Sequence, residues 1–127
     1  MTSSSLPKPR VLIVDDERMI ADTLAVILRM NGFDPTVAYS GEQAVEAALG
    51  LQPCMLLSDV VMGQMNGIEA AIQITQSNPN CKVLLFSGQP AVADMLANAA
   101  AAGHHFEILA KPVHPTAVLE KLDSLLH

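Results

Sequence analysis

Short apolar runs recur along the chain at RVLIV (10–14), PTVAY (35–39), CMLLS (54–58), KVLLF (82–86) and FEILA (106–110). Most are separated by longer stretches whose apolar residues fall at helical spacing. The pattern predicts a strand followed by a helix, five times over. The first, third and fourth runs are continuously apolar rather than alternating, as central parallel strands become when helices cover both faces. The expected fold class is therefore α/β, a single doubly wound domain with five helices on both faces of a five-stranded parallel sheet.

Local punctuation supports the helical intervals. Ile20, Leu24, Ile27 and Leu28 share one face of the first helix, and Asn31-Gly32 can end it with a left-handed residue. Ser40 with Gln43 resembles a capping box ahead of Ala44 and Ala48, with Gly50 as the expected terminator. Ile68, Ala71, Ile72 and Thr75 form a third stripe that stops at Asn78-Pro79. Val92, Leu96 and Ala99 mark a fourth helix of small residues, and Val118, Leu119, Leu122, Leu125 and Leu126 a fifth opened by Pro115.

Composition narrows the class. Half of the 127 residues are hydrophobic and 16% charged, too apolar for a disordered chain, and the apolar runs are far shorter than a membrane span. A net charge of −6, with no basic patch, opposes direct nucleic-acid binding. Residues 1–9 read as a flexible arm before a domain over 10–127, without the apolar middle of a secretory signal, so the cytoplasm is the expected location. Cys54 and Cys81 lack CxxC spacing and read as small buried residues rather than a disulfide or metal pair. Met55, Met62 and Met65 read as packing or loop residues, and His104 and His105 as surface loop.

A parallel sheet with right-handed crossovers brings all strand C-termini to one edge, where ligands bind. Collected there are Asp15 and Asp16 after the first strand, Asp59 after the third, Ser87 after the fourth and Lys111 after the fifth. Like charges about 4 Å apart near a protein surface cost on the order of 4 kcal/mol, so the carboxylates call for a cation. Mg²⁺ suits them, because it takes oxygen ligands and is commonly held by one or two carboxylates plus a phosphate. The chain has no GxxxxGK[ST] loop and no GxGxxG fingerprint to cradle a nucleotide. A carboxylate can itself be the phosphoryl acceptor when metal and ammonium neutralise the transferring group, and Asp59 beside Lys111 and Ser87 fits that part.

Over nearly all of 10–126 these residues resemble the receiver domain of two-component response regulators. The resemblance rests on VDDE (14–17), LLSDVVMGQMNGIE (56–69), LLFSG (84–88) and AKP (110–112), each on its expected strand end. It implies a flavodoxin-like sheet in order 2-1-3-4-5. It also implies that Asp59 accepts a phosphoryl group from a phosphohistidine, with a histidine kinase or phosphotransfer protein as donor and a downstream protein as target. Asp16 and Asp59 would ligate Mg²⁺ directly, Asp15 through water, and Val61 by its backbone carbonyl. Lys111 would pair with phosphoryl oxygens, Ser87 would swing inward to one of them, and Lys111-Pro112 would be a cis peptide. The fourth helix, fifth strand and fifth helix would form the output face.

Three positions depart from the family pattern. Gly63 stands where proline is usual, pointing to a more mobile loop. Ile108 replaces the usual aromatic partner of the switch hydroxyl, so that either Phe106, on the same strand face, substitutes or coupling runs through aliphatic repacking. Gly103 lies one residue farther from the lysine than is common, which predicts a lengthened loop. Val61 and Gln89 flank the site where side chains could tune phosphoryl lifetime. The expected protein is a stand-alone receiver, monomer or weak dimer, that catalyses its own phosphorylation and slow dephosphorylation. The alternatives are a receiver belonging to a longer transcription factor or enzyme, a phosphate-independent interaction module and, last, an aspartyl-phosphate hydrolase. That hydrolase class needs a DxD after the first strand.

Overall fold

The computed structural model describes residues 7–88, 92–112 and 114–126. Five parallel strands, β1 (Arg10–Val14), β2 (Asp34–Ala38), β3 (Met55–Asp59), β4 (Lys82–Ser87) and β5 (Glu107–Ala110), lie in the order β2-β1-β3-β4-β5. Five helices connect and follow them: α1 (Arg18–Met30), α2 (Gly41–Leu51), α3 (Gly67–Ser77), α4 (Val92–Ala101) and α5 (Pro115–Leu126). The strand order reverses between β1 and β3, which places a crevice at their C-terminal ends.

The sheet divides two cores. Leu12, Val14, Leu56, Val83 and Leu85 point to one face, where they pack with Ala44, Ala48, Ala71 and Ile74 of α2 and α3. Val11, Ile13, Met55, Leu57, Leu84 and Phe86 point to the other, against Ala21, Ala25 and Leu28 of α1 and Val118 and Leu122 of α5. Every residue of β3 is buried, so its continuous apolar run reflects cover on both faces.

Several local expectations are corrected. The core face of α1 is centred on Ala21, Ala25 and Leu28, while Ile20 is 37% exposed, so the true stripe is rotated toward the small residues. Gly32 does take the left-handed conformation after α1, at φ +90°. At α2, Ser40 Oγ accepts from the Gln43 N–H, but the Gln43 side chain accepts from Tyr39 N–H instead of closing a box on Ser40. Gly50 does not end that helix; it continues to Leu51, and Gln52 takes the left-handed position at φ 51°. The reciprocal capping box is at Asn66 and Glu69, opening α3.

Cys81 is buried as expected, but Cys54 is exposed, because it lies just before β3 at the sheet margin. Met55 and Met62 are packed in the two cores. Gly63 has open space around it and no positive φ, so nothing in its surroundings demands glycine. Gly103, at φ +95°, ends α4, where the His104 N–H donates to the Ala99 carbonyl. Phe106 lies just before β5, packs partly into the core and stacks on His104 at 6.2 Å, whereas Ile108 within β5 is 39% exposed. The Val92 side chain, Gln89 and residues 1–6 lie outside what is described.

Candidate functional site

Backbone bonds between neighbouring strands continue to the rim of the crevice. Asp15 N–H donates to the Ala38 carbonyl at 3.2 Å, Val60 N–H to Phe86 at 3.0 Å, and Lys111 N–H to Ser87 at 3.0 Å. Oxygens of Asp15, Asp16 and Asp59 come within 4.8 Å of one another. Lys111 Nζ donates to Asp59 Oδ2 at 2.9 Å. A cleft of about 280 Å³ is lined by Asp16, Asp59, Val61, Ser87 and Lys111, so all the site residues expected from sequence except Asp15 face it directly. Asp15 is buried below, next to Asp59, and the expected cis peptide joins Lys111 and Pro112.

The electrostatics show what the arrangement lacks. Asp15 is 1% exposed; its Oδ1 accepts the Glu17 N–H at 2.9 Å, while its Oδ2 has no hydrogen-bond partner. Burial pushes the Asp15 carboxyl above its ordinary value; the Glu17 amide and Lys111 oppose this, and the Asp59 and Asp16 charges add to it. For Lys111, burial pulls the ammonium down, but the hydrogen bond to Asp59 and the charges of Asp59, Asp15 and Glu17 outweigh it and hold it above the usual lysine value. Among the described residues, one ammonium thus stands against a cluster of three aspartates, one of them with an orphaned buried oxygen. A hard divalent cation fits that donor set.

Two supports went unread in the sequence. Gly67 packs so tightly on the third strand that a Cβ there would lie 2.1 Å from the Asp59 carbonyl oxygen, and its N–H donates to Val60 at 2.8 Å. The NG pair before Ile68 was the available signal. At the other side of the crevice the Arg18 guanidinium lies 4.0 Å over the Tyr39 ring, and Tyr39 Oη donates to Asp22 Oδ1 at 2.7 Å. These contacts fasten the first turn of α1, immediately after Asp15 and Asp16, to the end of β2.

The site is thus an acidic crevice at the C-terminal ends of a doubly wound sheet, with a lysine on the central carboxylate and a serine lining the same cleft. The sequence matches the response regulator receiver domain family over residues 11–123, and the chain belongs to that family. It is 34% identical over 117 residues to the chemotaxis protein CheY of Thermotoga maritima, spanning 91% of this chain and 96% of that protein. It is 33% identical over 116 residues to the probable transcriptional regulatory protein TcrX of Mycobacterium tuberculosis, covering 91% of this chain but 49% of that protein. The chain therefore spans about half the length of TcrX and of several other curated relatives that it matches. Among solved structures, a CheY-like receiver domain protein from Methanospirillum hungatei superposes with a TM-score of 0.85 at 25% identity, covering 94% of each chain. Among the described residues no helix is long and apolar enough to cross a membrane.

Proposed function

We propose that Asp59 is the phosphoacceptor of a two-component receiver spanning residues 10–127, with residues 1–9 as its leading arm. The observation that carries this reading is the Lys111 ammonium 2.9 Å from Asp59 Oδ2 in a cluster where three carboxylates approach within 4.8 Å. The donor is the phosphohistidine of a histidine kinase or phosphotransfer protein. An Asp59 carboxylate oxygen bonds to phosphorus as the phosphorus–nitrogen bond breaks, and the imidazole leaves with its electron pair. Water later cleaves the acyl phosphate, restoring the carboxylate.

Asp16 and Asp59 would hold Mg²⁺, with Asp15 acting through water and the Val61 carbonyl as a further protein ligand. The ion, when bound, neutralises charge on the transferring group. Lys111 then bonds a phosphoryl oxygen, and Ser87 turns toward another; these contacts exist only in the phosphorylated state and shift a two-state equilibrium. The protein acts in the cytoplasm on another protein rather than on DNA, as a monomer or weak dimer. The near full-length match to CheY supports a stand-alone receiver, and the half-length match to TcrX supports a receiver within a longer regulator.

Intact mass after incubation with acetyl phosphate and Mg²⁺ tests the chemistry. A gain of about 80 Da that disappears in Asp59→Asn and with EDTA is expected. Failure to trap any adduct under fast quenching would leave the phosphate-independent interaction module as the better reading.

A further inference from the structure

The two cysteines occupy matched places at the edge of the sheet remote from the crevice. Met55 pairs with Lys82 in the parallel β3–β4 ladder, so Cys54 stands opposite Cys81 one step before it. The ladder bonds still hold at that step: Lys82 N–H donates to the Cys54 carbonyl at 2.9 Å, and Cys54 N–H donates to the Arg10 carbonyl at 2.9 Å. Cys81 shares a core face with Val83 and Leu85, and Leu56 of β3 lies on that same face. Strand alternation places residue 54 on the face of Leu56, hence on the same side as Cys81.

The two thiols differ in access. Cys54 is exposed, whereas Cys81 is 5% exposed. Burial, with Cys54 as a lesser cause, pushes the Cys81 thiol up to about 12. An oxidant from solvent therefore meets Cys54 first, and Cys81 is sheltered from direct attack.

We propose that Cys54 and Cys81 form an oxidisable pair in which a hydroperoxide converts Cys54 to a sulfenic acid and Cys81 captures it as an intramolecular disulfide. In the first step the Cys54 sulfur takes the terminal peroxide oxygen and water or an alcohol leaves. In the second the Cys81 sulfur bonds to the Cys54 sulfur and the sulfenic hydroxyl departs as water. The peroxide is the oxidant, and both thiol protons end in the water or alcohol released.

Adjacent parallel strands lie about 4.8 Å apart, inside the usual disulfide Cα window of about 4.4–6.8 Å. The β-carbons of such neighbours stand farther apart than a relaxed disulfide prefers, so the margin must close slightly. Cys54 is exposed in a bend just before β3, so its side chain meets solvent rather than core packing as the gap closes. A bond made under that constraint is readily reduced, as a reversible modification requires. The bridged segment carries Asp59 and α3, so oxidation would tie the phosphoacceptor-bearing strand to β4 at its base. The pair stands on register and exposure alone and does not depend on the phosphoryl-transfer reading.

The full chain would be treated with hydrogen peroxide under native conditions, quenched in acid, unfolded, alkylated and read by intact mass and peptide mapping. The expected product is about 2 Da lighter than the reduced protein, takes no alkyl group, and yields a 54–81 cross-linked peptide that dithiothreitol dissolves. Cys81→Ser and Cys81→Ala should each instead accumulate an adduct of about 16 Da on Cys54 that dimedone traps. Cys54→Ser should keep Cys81 reduced and alkylatable. Wild-type protein that proceeds to sulfinic acid on Cys54 with Cys81 still free, or that forms only a Cys54-linked dimer, would overturn the proposal.

Discussion

Asp15 carries the least satisfied atom of the crevice. Its Oδ2 is buried without a hydrogen-bond partner, and the residue offers an oxygen within 4.8 Å of oxygens of two further carboxylates. Replacing Asp15 with Asn keeps a carbonyl oxygen for the Glu17 N–H while removing one of the three charges. The metal-free protein should therefore become more stable, by about 1–3 kcal/mol, the range for the penalty of one unsatisfied buried polar group. Urea unfolding in EDTA reads this directly; an unchanged or lowered midpoint would mean that Oδ2 is satisfied in solution. The residues of this site could be collected from sequence because each follows an apolar run by a fixed step, so a strand assignment also assigns its end. Spacing does not show the support that Gly67 gives Asp59, since a close approach leaves no mark on it; only the Asn66-Gly67 pair hints at that contact.

At the scale of elements, glycine separates positions where the fold needs it from positions where it does not. A Cβ at Gly67 would stand 2.1 Å from the Asp59 carbonyl oxygen, a backbone atom pinned in β3, so Gly67→Ala must displace either α3 or the phosphoacceptor strand. A loss of at least about 2 kcal/mol is expected from such overpacking. Gly50 lies inside α2, where an added methyl would meet nothing within 4 Å and φ is not positive, so Gly50→Ala should stabilise by about 0.5–1 kcal/mol. Paired thermal melts check both signs at once. Asn66 and Glu69 satisfy each other's backbone at 2.8 and 3.1 Å, and Asn66→Ala should cost about 1 kcal/mol. An Asn66→Asp control retaining most of that stability would tie the loss to the cap.

These same helices show where patterning misleads. Large apolar residues drew the expected face of α1 toward Ile20, whereas packing close to a sheet selects Ala21 and Ala25. Glycine drew the expected end of α2 to Gly50, although a helix can also end on a left-handed non-glycine residue, here Gln52. The positions of β1, β3 and β4 were legible to within a residue because double burial writes an unbroken apolar run. Helix faces and ends depend on the volume available beside the sheet, which residue type alone does not reveal.

For the whole molecule, folding itself creates the charge problem at the crevice. Asp15 and Asp59 are distant in sequence, and only the adjacency of β1 and β3 brings them together. The unfolded chain lets these carboxylates separate, so a divalent cation held by all three binds the native state in preference, and its binding free energy adds to stability. At tenfold excess over its dissociation constant the gain is about 1.4 kcal/mol, which for a domain of this size raises Tm by about 5 °C. Screening alone would give a different signature: choline chloride at matched ionic strength weakens the repulsion only slightly, because the groups are closer together than the Debye length. Melts in MgCl₂, choline chloride and EDTA should therefore show a large upward shift with Mg²⁺ alone, and Asp15→Asn should abolish most of it. An equal rise in choline chloride, or a full Mg²⁺ shift in the variant, would place the stabilising cation somewhere other than this cluster.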